Sequence, residues 1–266
     1  MSEQNLYLDA YQPEQIARRV ASMGVAKAEA KALTMIVLAV LAGAFMSLGA
    51  LFYTVIITDS TLGFGVTRLL GGVGFVTGVA LVVVGGAEVF TSNNLLAMAW
   101  ASKLISTRQV LRNWMLVYLG NIFGCLGMVA LVWWSDIGSL ASGAVATTSI
   151  DIASDKASLS IEASFARGIL ANALVCLAVW LSMGGHTVTD KILAILLPIS
   201  AFIAIGFEHA IANWFFLPYG MVLAEPGTIS MANAAKNLLV VSAGNIVGGT
   251  LLVAGVYWLA YLRGTD

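Results

Sequence analysis

Charged residues are scarce in this chain. Only 10% of its 266 residues are Asp, Glu, Lys or Arg, whereas a soluble domain carries about 25%. A protein with so few charged residues is not a soluble globular protein. The hydrophobic share of 59% also excludes a disordered chain, because such a chain is poor in apolar residues. The net charge of −1 argues against a nucleic-acid-binding protein, because such a protein would be basic.

Cysteines and cofactor motifs are few or absent. Two cysteines exclude a secreted disulfide scaffold, and no Walker sequence is present to drive pumping. One histidine and two separated glutamates in the apolar segments do not make a metal site. We therefore expect no cofactor and no metal. A multi-span membrane protein remains, since a span takes about 20 residues and the chain has room for six or seven.

Apolar segments of spanning length follow one another along the chain. The second and the fifth are too long for one simple span. The sequence therefore predicts an all-α membrane protein with six transmembrane helices, in which residues 32–135 and 163–262 form two sets of three around a polar connector at 136–162. The six segments are 32–57, 67–101, 110–134, 163–184, 190–222 and 233–262.

Residues 1–31 precede the first span and are polar. This start lacks the basic region of a secretory signal, so we expect no cleavage. The stretch from Pro13 to Lys31 predicts a helix with proline in its first turn. Ile16, Val20 and Met23 fall on one face, which leaves two interpretations open. One is a solvated lead-in helix, and the other is a helix lying on the membrane surface.

The basic residues predict the orientation of the chain. Nine of the thirteen Lys and Arg residues lie on the side of the termini in this arrangement, against four on the other side. Cytoplasmic loops carry the excess of Lys and Arg. We therefore expect residues 1–31 and 263–266 to be cytoplasmic and the connector 136–162 to be extracytoplasmic. The four basic residues on the other side are Arg68, Lys156, Arg167 and Lys236.

The two over-long segments resemble each other. Residues 86–93 and 206–213 both read G-x-E-x-x-x-(S/A)-N, and the spans that follow carry G-N-I-x-G at 120–124 and 244–248. Because each copy holds three spans, the second must insert upside down, which predicts an aquaporin-like inverted repeat with broken second and fifth helices. Sites in such folds lie near the midplane, where the broken helices meet. The repeat therefore indicates a pathway and not an anchor.

Three ionisable residues lie at the predicted breaks: Glu88, Glu208 and His209. Such residues are costly inside a membrane and usually functional. We expect no Lys or Arg near either glutamate, so that each caps free backbone N–H groups or is protonated. A structural role is favoured because both copies have it, and a pore role is the alternative. His209 has Val89 as its counterpart, so we interpret it as a functional group that titrates near neutral pH. A neutral histidine bonded within the bundle is its alternative.

Polar and aromatic residues near the breaks complete the candidate site. Thr91 and Ser92 are predicted to cap the half-helix after the first break, where free N–H groups favour an anion. Asn172 and Asn245 are amides within apolar segments, suited either to bonds between helices or to a lumen. Phe90 stands at the break and is a candidate hydrophobic constriction.

On these motifs, together with residues 172–180, the chain resembles the formate/nitrite transporter family over essentially residues 11–263. The resemblance implies a six-span protomer with inverted repeats, assembled as a homopentamer with one pore in each protomer. It also implies conduction of small monovalent anions, namely formate, nitrite or hydrosulfide. Residues 176–180 and 216–220 resemble the formate branch more than the nitrite branch.

The resemblance also implies roles for single residues. His209 is the central pore histidine, Thr91 is its hydrogen-bonding neighbour, and Lys156 attracts anions on the outer side. Val79 and Val89 stand where formate channels of the family have leucine, a difference that bears on the width of the inner constriction. Further pore positions are Asn172, Val175 and Asn245, and the constriction positions are Phe75, Val79, Val89, Phe90 and Phe202.

The sequence thus predicts a formate channel in a bacterial or archaeal cytoplasmic membrane, with the anion, protons and the lipid bilayer as partners. In its mechanism, His209 protonates the anion or compensates its charge at an apolar constriction that a dehydrated charge does not cross cheaply. Nitrite and hydrosulfide stay open as substrates, as does the choice between a passive channel and proton-coupled transport. An aquaporin-type channel is disfavoured because no proline follows Asn93 or Asn213. An intramembrane enzyme that pairs Glu88 with Glu208 is disfavoured by their symmetry, and a scaffold by the broken helices.

Overall fold

Helices make up the whole scaffold of residues 10–264, the part of the chain that the computed structural model describes; these residues contain no strand. A 3₁₀ turn at Ser92–Leu95 precedes α4, another at Ile137–Gly143 precedes α6, and a π-helical segment at Gly248–Gly255 joins the last two helices. The helices are α1 (Pro13–Glu29), α2 (Ala32–Ile57), α3 (Phe64–Gly85), α4 (Leu96–Ala101), α5 (Thr107–Trp134), α6 (Ala144–Ser158), α7 (Ile161–Ser182), α8 (Val188–Ile205), α9 (Ala210–Leu223), α10 (Met231–Val247) and α11 (Val256–Tyr261).

Six helical stretches within the described residues are long and apolar enough to cross a membrane: α2, α3, α5, α7, α8 and the continuous stretch Met231–Tyr261. The chain is therefore an integral membrane protein, as predicted. The first span has the predicted bounds, whereas the third begins at Thr107 instead of 110. The earlier start is due to a capping box, in which Ser106 accepts from the backbone N–H of Gln109 and the Gln109 side chain accepts from the backbone N–H of Ser106.

Both over-long segments are broken, as the sequence predicts. α3 ends at Gly86 with φ 79°, and α8 ends at Gly206 with φ 88°. This left-handed conformation is open to glycine without steric penalty, and it ends a helix sharply. The chain then runs without α-helix through residues 86–95 and 206–209 before α4 and α9 resume the two segments. The candidate residues at 88–92 and 208–209 lie in these interruptions.

A helix packs on the bundle before each set of three spans. In α1, Ile16, Val20 and Ala28 are buried, and the helix contacts α4. The apolar face of α1 therefore packs on protein, where the sequence left a choice between water and the membrane surface. The connector 136–162 likewise contains α6, which packs against α9. The two lead helices α1 and α6 stand in the same order before α2 and α7.

Glycines at matching positions bring the first and third spans of each set together. A Cβ on Gly124 would lie 2.0 Å from the backbone oxygen of Val40 in α2. In the second set, a Cβ on Gly248 would lie 2.1 Å from the backbone oxygen of Ile169 in α7. The last glycine of each G-N-I-x-G motif therefore permits backbone contact between helices, as small residues do in membranes.

This contact predicts a large difference between two glycines of α5. Gly124→Ala should destabilise the protein by about 3 kcal/mol, because the methyl group overlaps the α2 backbone. Gly127→Ala is the matched control, since its Cβ has no atom within 4 Å. Thermal unfolding in detergent, followed by tryptophan fluorescence, measures both. Equal midpoints for the two variants would contradict the close approach of α2 and α5.

Candidate functional site

One asparagine of the third span holds the first break together. The Asn121 Nδ2 group donates to the backbone oxygens of Glu88, at 2.8 Å, and Ala39, at 2.7 Å. Its Oδ1 accepts from the backbone N–H of Phe90 at 2.9 Å. Backbone at membrane depth must find partners within the protein when its helix is interrupted. The buried Asn121 side chain supplies them, and it ties the break to α2.

Asn245 does the same at the second break. Its Nδ2 group donates to the backbone oxygens of Glu208, at 3.0 Å, and Gly168, at 2.7 Å, while its Oδ1 accepts from the backbone N–H of Ala210 at 2.9 Å. The sequence alone left Asn245 between a bond within the bundle and a lumen. The structure places its amide in backbone contacts, as for Asn121, and its role as a pore position stays a prediction.

Glu88 is the centre of a buried network beside the first break. Lys27, on α1, donates from Nζ to Glu88 Oε2 at 3.2 Å and to Asn93 Oδ1 at 2.8 Å. Asn93 Nδ2 donates to the same Glu88 oxygen at 2.6 Å and to Asn113 Oδ1 at 2.9 Å. Asn113 Nδ2 closes the loop on the backbone oxygen of Lys27 at 3.2 Å. A helix outside the spans thus neutralises a carboxylate between them.

Glu208 has an equivalent network at the second break. Lys156, on α6, donates to Glu208 Oε1 at 2.8 Å, and Asn213 Nδ2 donates to Oε2 at 2.6 Å. Asn213 Nδ2 also contacts Asn237 Oδ1 at 2.8 Å, and Asn237 Nδ2 donates to the backbone oxygen of Lys156 at 2.9 Å. One contact of the first network is missing here: Asn213 Oδ1 is buried without a hydrogen-bond partner, because the lysine ammonium lies at the glutamate alone.

The expectation that no lysine lies near either glutamate was therefore wrong. Lys27 and Lys156 belong to α1 and α6, which the sequence placed outside the spans, and their long apolar stems carry the ammonium groups inward. The repeated motif contains Asn93 and Asn213, but their bonds to the two glutamates were not predicted. A signal was available, because Asn93 and Asn213 are separated by the same 120 residues as the two glutamates. Glu88 and Glu208 stay candidates for the structural role at the breaks.

His209 and Thr91 bring the two breaks into direct contact. Thr91 Oγ1 lies 2.8 Å from His209 Nε2, and both side chains are buried. His209 Nδ1 accepts from the backbone N–H of Ala212 at 3.1 Å and so caps α9. These bonds assign the neutral tautomer, with its proton on Nε2 directed at Thr91. The Thr91 hydroxyl accepts this hydrogen bond and keeps its own O–H free to donate.

The predicted cap at Thr91 and Ser92 was wrong. The structure gives the 3₁₀ turn at Ser92–Leu95 no side-chain cap, and Ser92 Oγ donates to the backbone oxygen of Val89 at 3.0 Å. The physical reason is the backbone of Thr91, whose φ of −65° and ψ of −42° are helical, whereas an N-cap residue is extended. At the second break His209 has φ −117° and ψ 116°, and it takes the capping role instead.

Asn172 of α7 ties the Thr91 segment to the rest of the site. Its Nδ2 group lies 3.2 Å from the backbone oxygen of Thr91, 2.8 Å from Asn94 Oδ1 and 2.7 Å from the backbone oxygen of Asn245. The amide therefore bridges both copies of the repeat, in agreement with its interpretation as a bond between helices. Its pore role, like that of the buried Val175 one turn further along α7, stays a prediction.

Aromatic side chains cover the histidine. The ring centroids of Phe75 and Phe202 are 5.6 Å apart in an edge-to-face arrangement, and those of Phe202 and His209 are 5.9 Å apart. Phe90 packs elsewhere, with its centroid 4.8 Å from that of Tyr118. Phe202 therefore lies beside both Phe75 and His209, whereas the ring contacts of Phe90 are with Trp114 and Tyr118. Val79 and Val89, the other two predicted constriction residues, are buried in the same core.

A polar pocket of about 350 Å³ lies beside the Phe202 end of α8. Arg68, Lys156 and Arg167 line it together with Asp155 and Glu208. Three cations against two carboxylates leave the pocket positive, and such a cleft concentrates anions. Lys156, the predicted anion-attracting residue, lines this pocket with its ammonium paired with Glu208. Its attraction of anions stays a prediction.

The pairing of Lys156 with Glu208 predicts strong coupling between the two side chains, which are 15% and 4% exposed. Lys156→Met and Glu208→Gln should each destabilise the protein by about 3 kcal/mol, because each leaves a buried charge unpaired. The double variant should recover about 2 kcal/mol of the summed loss. Unfolding in a fixed detergent measures the cycle.

The Glu14–Arg18 pair, whose side chains are 54% and 64% exposed, is the control. Glu14→Gln should change stability by less than about 0.5 kcal/mol. Additive losses in the Lys156 and Glu208 cycle would contradict a buried ion pair.

Comparison with known proteins gives one consistent result. A sequence model described as formate/nitrite transporter matches residues 14–259. The chain is 38% identical to the formate channel FocA of Escherichia coli K12, over 97% of each chain. A solved structure described as a pentameric formate channel with formate bound is similar with a TM-score of 0.82 and 35% identity, covering 87% of this chain and 98% of its own. An ion channel of the same family gives a TM-score of 0.85 at 28% identity, covering 92% of this chain and 98% of its own.

Proposed function

The chain belongs to the formate/nitrite transporter family, and from this premise we propose that it is a membrane channel whose substrate is formate. The observation that carries the proposal is the Thr91–His209 hydrogen bond, which places one hydroxyl donor and one titratable group beside the aromatic pair Phe75 and Phe202. The relatives, which are named as channels and transporters, support a conducting role over an enzymatic one.

The architecture we propose is an inverted repeat. The matching breaks, the asparagine staples (the backbone bonds made by Asn121 and Asn245) and the ion-paired networks support it. Three spans in each set require the second set to insert upside down. The excess of basic residues on the side of the termini supports cytoplasmic termini in a bacterial or archaeal cytoplasmic membrane. The similarity to a pentameric formate channel supports a homopentamer with one pore in each protomer.

Passage begins at the positive pocket beside Arg68, Lys156 and Arg167, which raises the local concentration of anions. The anion then meets Phe75 and Phe202, where loss of its water is costly unless a donor replaces it. Thr91 supplies that donor, because its hydroxyl accepts from His209 and its own O–H is free. The neutral histidine therefore acts first by orienting Thr91.

Acid pH changes this arrangement through His209. A neutral imidazole does not give up its Nε2 proton, so transfer of a proton to the anion requires the doubly protonated ring. That form cannot accept from the Ala212 N–H at Nδ1, so protonation breaks the cap of α9 and adds a positive charge beside the aromatic pair. Flux of the anion, or of its neutral acid, then depends on pH through this one side chain.

An anion panel in proteoliposomes tests the substrate. We expect formate to pass faster than nitrite, hydrosulfide or chloride. Thr91→Val should lower the formate flux about tenfold or more, because an anion loses a donor worth at least about 1.4 kcal/mol. Thr77→Val is the matched control, since Thr77 is exposed on α3. A preference for nitrite or hydrosulfide would keep the channel and overturn formate, and equal flux in both threonine variants would overturn the site.

His209→Asn tests the origin of the pH dependence. Asparagine keeps an acceptor for the Ala212 N–H and caps a helix well, but it does not titrate. We expect the variant to insert and fold, and its formate flux to vary little between neutral and acid pH while that of the parent protein changes. Flux measured across this pH range with an unchanged inward gradient decides the question. An unaltered pH profile in His209→Asn would contradict His209 as the origin of the pH dependence.

A further inference from the structure

A second charged pocket lies where α1 packs against the ends of α4 and α11, apart from the Thr91–His209 site. Its volume is about 490 Å³. Three cationic side chains, Arg18, Lys103 and Arg263, come from three separate segments of the chain to line it. We call it the basic pocket; its other lining residues include the hydroxyl-bearing Ser22 and Ser102 and the apolar Leu104, Trp258 and Leu262.

The charge of the basic pocket is unbalanced. Among residues 10–264, no acidic side chain lines it. Within residues 10–264, neither Lys103 nor Arg263 has a carboxylate within ion-pair distance, while Arg18 is paired with the exposed Glu14 at 2.6 Å. The pocket thus presents at least two uncompensated cations together with hydroxyl groups, which is the donor chemistry that binds a phosphate.

Exposed apolar side chains lie in and around the wall of the basic pocket. Leu104, in its wall, is 56% exposed, and nearby Trp100 and Leu259 are 50% and 54% exposed. Trp258 lies in the wall with its Nε1 group donating to Ser102 Oγ at 3.1 Å. Tryptophan gathers at the level of lipid headgroups, where one part of its ring is apolar and the other meets water. The cations therefore lie at the depth of phospholipid phosphates.

Lys103 occupies an unusual backbone position. It follows the end of α4 with φ 59°, and the backbone N–H of Leu104 returns to the oxygen of Ala99 at 2.9 Å. Glycine is the ordinary residue at such a helix end, because other residues are strained in the left-handed conformation. Lys103 thus places a long cationic side chain at a backbone position that favours glycine.

We propose that the basic pocket binds the phosphate group of an anionic phospholipid. Lys103, Arg263 and Arg18 hold the phosphate, while the acyl chains run along the apolar surface beyond Leu104. The lipid is favoured over a soluble phosphate because Leu104 and Trp258 border the cations on the membrane side. A bound headgroup would also link α1 to the ends of α4 and α11.

Binding of single lipids to the full-length purified protein tests the proposal. Native mass spectrometry in detergent would compare phosphatidylglycerol with the zwitterionic phosphatidylcholine. Removing two cations with the double variant Lys103→Asn and Arg263→Gln should weaken phosphatidylglycerol binding about 30-fold. Asparagine accepts the left-handed conformation, so the fold at residue 103 is kept. The matched control is the double variant Lys31→Gln and Arg108→Gln, which removes two exposed cations outside the pocket.

The expected result is a preference for phosphatidylglycerol that the pocket variant loses and the control variant retains. Equal binding of the two lipids, or an equal loss in both variants, would overturn the pocket as a lipid site. Glycerol 3-phosphate is the third probe. If it displaces phosphatidylglycerol from the protein at equal concentration, the site recognises free phosphate and the lipid assignment is wrong. None of these readouts uses transport, so they do not depend on the proposed channel function.

Discussion

An unpaired backbone amide or carbonyl is expensive inside a bilayer, and both broken helices of this protein leave such groups at mid-span. The staples made by Asn121 and Asn245 meet that demand with one side chain each. Other features follow from the staples. An amide reaches a neighbouring backbone only if the helices nearly touch, so Gly124 and Gly248 flank them. Once the breaks are fixed, His209 and Thr91 are held in contact.

The ion-paired networks serve the same breaks by a different route. A carboxylate buried between spans is costly unless a cation and hydrogen-bond donors pair with it, and the protein supplies an ammonium and an amide to each one. The lysines come from α1 and α6, which are not among the six stretches long and apolar enough to span a membrane, and their stems reach the glutamates. As a result each set of three spans depends on a fourth helix, and the repeated unit is larger than the spans alone indicate.

Local sequence patterns predict much of this fold. The apolar runs and the G-x-E and G-N-I-x-G motifs predict six spans and two breaks, because hydropathy and glycine act over short distances in the sequence. The partners of Glu88 and Glu208 were missed, since Lys27 and Lys156 lie 61 and 52 residues away from them in segments that read as polar connections. The capping role of His209 was missed for a related reason: it depends on a backbone angle that residue types alone do not reveal.

The order of the residues in each network bears on how the protein is made. Lys27 precedes Glu88 in the chain, and Lys156 precedes Glu208. A ribosome therefore delivers each cation before the acid that it will neutralise, while Asn113 and Asn237 arrive last. Glu88 and Glu208 therefore each enter the membrane after the lysine that neutralises them has been synthesised. Biogenesis can proceed one set at a time, with the late asparagine locking a pair that is already complete.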